Sequence, residues 1–156
     1  MGESVSTDIK LIIFELKGKE YAIPVNQVRS IEKMMHITRI PNITPFVKGV
    51  INLRGVVTPL IDLRKRFGLE EIKYTERTRI IIIALADIEV GVIVDAANDV
   101  VDVNTSEFEP APEVVGGVEV DYISGVVKLE KRLLILVNVE KVFDREELKN
   151  YTKSEG

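Results

Sequence analysis

Residues 49–67 and 125–143 are two versions of one sequence. A shift of 76 positions lays Gly49–Phe67 on Gly125–Phe143 without a gap. Gly49, Val50, Leu53, Leu60, Lys65 and Phe67 meet identical residues, and Asp62 meets its isostere Asn138. Ile51, Val57, Ile61 and Leu63 meet other aliphatics. A shift of 69 lays Lys10–Val25 on Arg79–Val94, with Ile12, Ile13, Leu16, Glu20 and Val25 repeated. The shifts differ by seven residues, an insertion that the loop Asn104 to Asp121 can hold with its Pro110, Pro112 and Gly116-Gly117. A chain written twice folds into two similar halves.

Each half is made of strands. The apolar residues are mostly Ile, Val and Leu in short runs, without a helical stripe. Copy one gives Lys10 to Leu16, Tyr21 to Val25, Val28 to Glu32, Val47 to Leu53 and Val56 to Ile61. Copy two gives Arg79 to Leu85, Ile88 to Val94, Asp99 to Val103, Tyr122 to Leu129 and Arg132 to Val137. Lys17-Gly18-Lys19, Arg54-Gly55 and Leu129-Glu130-Lys131 are hairpin turns. Asp62 caps a short helix that carries Leu63 and Phe67 and stops at Gly68. Asn138 caps a longer C-terminal one, apolar at Val139, Val142 and Phe143 and charged from Asp144 to Lys149.

Five short antiparallel strands close most economically as a barrel, because closure removes edges. The expected fold is therefore all-β, with two similar five-stranded β-barrels packed together, short helices and a C-terminal helix. The expected division is one domain over 8–150, with repeats over 8–72 and 73–150 and room for a strand to be traded between barrels. Arg79 to Leu85 lacks polar alternation, so it is expected where the barrels meet.

Composition excludes most chemistry. The chain has no Cys and a single histidine, His36, so thiol nucleophiles, disulfides and the usual zinc sites are out. A net charge of −4 speaks against nucleic acid as a partner. The start is polar, and the longest apolar run, Ile80 to Ala86, is far too short to span a bilayer. The expectation is a cytoplasmic protein with no membrane insertion, in which the sequons at Asn42, Asn104 and Asn150 carry no meaning. Three Met and no Cys hint at a heat-adapted source.

No phosphate loop or nucleophile elbow is present, and Gly116-Gly117 leads to neither Lys-Ser/Thr nor a helix. His36 reads as a surface histidine. Asp95, Asp99 and Asp102 lack the spacing of a calcium loop and read as an exposed strand face. No cofactor or metal is expected. Ile80 to Val127 holds ten carboxylates and no Lys or Arg, whereas Arg54 to Arg79 carries seven of the 21 basic residues. That division is either two solvated faces or an electrostatic guide for a protein partner.

What remains is a candidate binding surface. Ile31, Met34 and Met35 cluster after a strand, beside Ile37 and Ile40. Core packing accounts for most of them, but two adjacent methionines at a strand end are not expected to face inward together. Methionine also suits an adaptable contact. Asn52-Leu53-Arg54-Gly55 sets a basic residue at the mouth of an apolar hairpin.

The run Gly49-Val-Ile-Asn-Leu-Arg-Gly-Val-Val-Thr-Pro-Leu-Ile-Asp-Leu-Arg resembles the CheW family of bacterial chemotaxis coupling proteins. The resemblance continues through Thr78 to Ile83, Glu89 to Asp95 and Gly125 to Lys128, and covers about residues 8 to 145. It implies two five-stranded barrels around a shared apolar interior and no enzymatic activity. It implies an adaptor between the cytoplasmic tips of methyl-accepting chemoreceptors and the regulatory domain of the histidine kinase CheA. It also implies a receptor groove between the barrels and a separate kinase contact at a barrel end, with no kinase-contact residue assigned. Val28, Ile31 and Glu32 match the segment facing the groove, and Gly49, Ile51, Asn52 and Arg54 match the Asn-Leu-Arg-Gly strand. With Met34 these are the candidate receptor-binding residues. The loop Asn104 to Val120 matches poorly. The alternatives are a CheW-like scaffold of another array, such as one for surface motility, and, from another class, a small β-barrel enzyme using Asp95 and Asp99 as an acid/base pair.

Overall fold

The computed structural model describes residues 7–41, 46–111, 114–115, 118–119 and 122–143. Copy one supplies β1 (Asp8–Leu16), β2 (Lys19–Pro24), β3 (Val28–Lys33), β4 (Val47–Leu53), β5 (Val56–Asp62) and α1 (Leu63–Arg66). Copy two supplies β6 (Arg79–Leu85), β7 (Ile88–Val94), β8 (Ala96–Asn104), β9 (Phe108–Glu109), β10 (Val114–Val115), β11 (Val118–Glu119), β12 (Ile123–Leu129), β13 (Arg132–Val137) and α2 (Val139–Val142). The three shortest strands, β9 to β11, fall in the inserted loop, where no strand was expected. The charged stretch Asp144 to Lys149 and the Gly116-Gly117 pair lie outside the described residues.

The strands form two larger sheets and a small ribbon of β10 with β11. One sheet runs β8-β1-β2-β13-β12-β9 and the other β3-β6-β7-β5-β4. Neither copy makes a sheet by itself. Each lends its first hairpin to the other copy, so two strands cross in each direction rather than one. The cause is local. Only a single 3-10 turn, Val25–Gln27, separates β2 from β3. That is too short to return the chain to the hairpin it has just left, so β3 joins the neighbouring sheet.

The repeat is visible in the pairing. β5 runs parallel to β7 with Leu60 opposite Gly91, and β13 runs parallel to β2 with Leu136 opposite Ala22. Bulges fall at matched places: between Val47 and Gly49 in β4, and between Ile123 and Gly125 in β12. Val28 opposite Ile83 is matched by Ala97 opposite Phe14, each beside a bulge. The caps match too, since Asp62 accepts from the Lys65 amide and Asn138 from the Glu140 amide.

Three apolar clusters follow from this exchange. Leu11, Ile13, Ala22, Val127, Leu134 and Leu136 fill the six-stranded sheet's concave side. Ile51, Leu53, Leu60, Ile80, Ile82 and Ile93 fill that of the five-stranded sheet. The largest cluster draws on both sheets and both helices, and includes Phe14, Tyr21, Phe67, Ile81, Ile83, Ile135, Val137 and Phe143. β6 is the expected two-faced strand: Ile80 and Ile82 face one cluster, Ile81 and Ile83 the other, and all four are at most 1% exposed. Each such side chain contributes about 1.5–3 kcal/mol of burial. Arg66 fastens the two helices, donating to the Val142 carbonyl at 2.6 Å while its guanidinium lies over the Phe46 and Tyr122 rings.

Each sheet curls nearly closed. β9, which continues the chain from β8, pairs with β12 at the far edge. On the other sheet Thr38, just past β3, makes a single antiparallel pair with Val50 of β4. Barrel closure therefore rests on one short contact per sheet. The all-β class is as expected, while the two expected five-stranded barrels are a six-stranded and a five-stranded sheet, each curled.

Candidate functional site

The candidate residues gather where the five-stranded sheet closes. β3 and β4 are its two edges, yet the curl brings Glu32 and Arg54 within 3.5 Å. The hairpin of β4 and β5 turns through Arg54 at φ 51° and Gly55 at φ 84°. Two successive positive φ values make a type I′ turn, whose twist suits a tight hairpin. Arg54 tolerates the strain because the Asn52 side chain accepts from the Gly55 amide at 2.9 Å and locks the turn. The Arg54 side chain is 67% exposed, and its contact with Glu32 occupies a single N–H. Its other donors point to solvent.

Ile31 is 40% exposed, as a contact surface needs, and lies on the face of β3 that also presents Arg29 and Lys33. Val56, next to the turn, is also exposed. Val56 thus sets exposed apolar area close to a guanidinium that Glu32 only partly engages. Val28 and Glu32 are half-buried.

Three candidates occupy different places from those expected. Ile51 is 1% exposed and packs inside the five-stranded sheet, so it shapes the hairpin and offers no surface. Gly49 is buried with its backbone against Thr38. Met34 and Met35 both pack partly against the Ile51 cluster. Strand alternation ends at Lys33, so the two neighbours are free to turn toward the same core.

His36 is exposed, as expected. Among the described residues no group of His, Cys, Asp and Glu could hold a metal ion. Asp95 and Asp99 are held apart as structural partners. The Arg64 guanidinium grips Asp95 through two bonds of 2.8 and 2.6 Å, and the Lys17 amide adds a third of 2.9 Å. Asp99 and Glu20 share Arg132. Burial pushes the Asp95 carboxyl up, but Arg64 and the Lys17 amide outweigh it and hold the group below the usual carboxylate range. A carboxylate held ionised by a fixed cation is a poor general acid or base at neutral pH.

Several carboxylates of the acidic stretch pair within the molecule and, Asp95 apart, with basic residues outside Arg54–Arg79. Lys10 meets Asp102, Lys128 meets Glu109, Arg29 meets Glu89 and Arg132 meets Asp99. Pairing β1 with β8 sets Lys10 directly opposite Asp102. Sequence reasoning missed Arg64, which is only 8% exposed. The available signal was the repeat, where Arg64 faces Glu140, a reversal of charge that no solvated position requires.

The family profile for the CheW-like domain matches residues 10–147. The chain belongs to the CheW-like family. It is 54% identical over 149 residues to chemotaxis protein CheW of Bacillus subtilis, covering 94% of each chain. It is 38% identical to chemotaxis protein CheW of Klebsiella aerogenes, over 94% of this chain and 87% of that one. Among solved structures it is similar to the scaffolding protein TtCheW of Thermoanaerobacter tengcongensis, with a TM-score of 0.83 and 31% identity over 88% of this chain and 94% of that one. This CheW-like chain is a chemotaxis coupling adaptor in signal transduction. No helix among the described residues is long and apolar enough to cross a membrane.

Proposed function

We propose that this CheW-like chain couples the cytoplasmic tips of chemoreceptors to the histidine kinase CheA, by binding and without catalysis, at membrane-associated receptor arrays. The receptor contact is Ile31 with Val28, Glu32, Met34, Asn52 and Arg54 around it. The kinase regulatory domain takes a separate contact. The observation that carries this reading is an exposed Ile31 on the edge strand whose Glu32 meets a guanidinium with only one of its donors engaged. An exposed apolar anchor at the same sheet closure as such donors suits a receptor tip that presents carboxylates or free carbonyls.

The test is co-sedimentation with receptor cytoplasmic fragments and CheA, with kinase activity as readout. Arg54→Ala should unfold within about 0.5 kcal/mol of the parent, as surface changes usually do. Its pairing with Glu32 is exposed and worth at most about 1 kcal/mol. In the complex the same truncation removes a desolvated charge, which costs about 2–5 kcal/mol and tenfold or more in affinity. Arg54→Ala should therefore fold normally and fail to couple receptors to the kinase. Ile31→Asp should weaken receptor binding and leave kinase binding near normal. Normal coupling by a well-folded Arg54→Ala protein would remove Arg54 from the contact. A large drop in its melting temperature would make it a fold residue.

A further inference from the structure

The two copies differ at one matched place beside the helix starts. The bulged residue of β4 is Lys48, whose side chain is 15% exposed and whose ammonium meets Glu71 at 2.6 Å. Asp62 and Tyr74 add to its field, and the Glu71 bond, outweighing partial burial, raises its basicity. The bulged residue of β12 is Ser124. The backbone is alike in both: Asp62 donates its amide to the Phe46 carbonyl at 2.8 Å, and Asn138 to that of Tyr122 at 2.9 Å. Only the side chain is missing.

Ser124 opens onto a cavity of about 220 Å³. Leu11, Phe108 and Leu136 form its apolar wall, Ser124 and Glu140 its polar rim, and Gln27 also lines it. Leu136 and Leu11 are the repeat counterparts of Leu60 and Ile80, so the wall is the one expected beside Lys48. The Gln27 Oε1 is buried with no hydrogen-bond partner. Among the described residues the Glu140 carboxylate meets no cation. The lysines of the flanking strands are held elsewhere, Lys10 by Asp102 and Lys128 by Glu109. An apolar wall beside an unpaired carboxylate, that of Glu140, is complementary to an ammonium on a four-carbon stem, which buries its methylenes and keeps its charge at the rim.

We infer that this cavity is a binding site for a lysine side chain presented by a partner protein, in the place that Lys48 fills from within in the first copy. The site is separate from Ile31 and Arg54 and stands whether or not they touch a receptor.

The probe is n-butylammonium, titrated into the full chain and followed by amide NMR, with n-butanol as the uncharged control. Saturable shifts are expected at Gln27, Ser124 and Glu140, with a much weaker response to n-butanol. Glu140→Gln should weaken butylammonium by about threefold, the scale of a partly exposed ion pair. Ser124→Lys should abolish the response by filling the cavity from inside, without lowering the melting temperature. Equal binding of n-butanol would overturn the ammonium assignment, as would unsaturable shifts spread over surface carboxylates. Unchanged affinity in Glu140→Gln would do the same even if Ser124→Lys failed to fold. If Lys149→Met or Lys153→Met shifts the same amides without any probe, the guest is the chain's own lysine and the partner assignment fails.

Discussion

Arg64→Ala and Asp95→Ala should each destabilise the protein by about 3 kcal/mol, because each leaves the other charge buried and unpaired. The two side chains are 10% and 20% exposed, so solvent repays little of that loss. For a chain of this size the melting temperature should fall by roughly 6–12 °C. The pair also binds three parts of the chain. Arg64 sits on α1 and donates to the Glu70 carbonyl, while Asp95, between β7 and β8, holds the turn after β1 through the Lys17 amide. The double variant should cost clearly less than the sum of the two singles, since no orphan charge remains. The pH dependence fixes the sign. Asp95 has a folded pKa below its unfolded value, so its share of stability is complete above the unfolded value of about 3.9 and is lost as pH falls through the folded one. Asp62 acts in the opposite sense. Burial, against the Lys65 amide, holds its carboxyl above the usual range. Its share is complete below the unfolded value and disappears as pH rises through the folded one. Denaturant unfolding across pH should show the gap between parent and Asp95→Asn widest near neutrality and narrowing below about pH 3.9. A gap that stays constant into acid would show that the carboxylate's charge does not matter.

The strands, the repeat and both caps were legible in the sequence because each rests on local chemistry. β-Branched runs, Gly-bearing turns and Asp or Asn before a short apolar stretch act over a few residues. The two-faced burial of Ile80 to Ile83 was legible for the same reason, as alternation is absent there. The hairpin exchange was not. When β1 and β6 are near-copies, β3 can pair with either by pattern alone, and the short Val25–Gln27 connection decides. Distance in sequence hid the rest. Arg64 and Asp95 are 31 positions apart, and Glu32 and Arg54 are 22 apart. Arg64 stands in Leu-Arg-Lys-Arg, which reads as a solvated run until folding buries one member. Ile51 and Gly49 carried the family motif, and a motif alone does not separate a residue that touches a partner from one that shapes the strand beneath it.

Gly49→Ala should be the costliest small substitution near the site. Gly49 has φ +145°, a backbone state that alanine rarely adopts. A β-carbon there would lie 2.3 Å from the Thr38 carbonyl oxygen and 2.9 Å from a methyl of Ile37. A side chain can swing away from such a clash, but this oxygen cannot. It accepts from the Val50 amide at 2.9 Å, and the Thr38 amide donates back to Val50 at 2.8 Å. Those two bonds close the edges of the five-stranded sheet. The variant must therefore either hold a strained φ, at about 1–3 kcal/mol, or part the bonds at about 0.5–1.5 kcal/mol each. By either route the loss is about 1–3 kcal/mol, with amide-exchange protection lost first at Val50 and Thr38. Gly125→Ala should behave alike, since its β-carbon would come within 2.6 Å of the Glu109 carbonyl oxygen. Gly55→Ala is the control: φ is +84°, but nothing lies within 4 Å of the added carbon, so only backbone strain is introduced. Freed from the Thr38 contact, the β4–β5 hairpin would no longer hold Arg54 opposite Glu32, and receptor coupling should fall even where folded protein remains. If Gly49→Ala is as stable as Gly55→Ala and keeps Val50 protected, closure does not depend on the missing side chain.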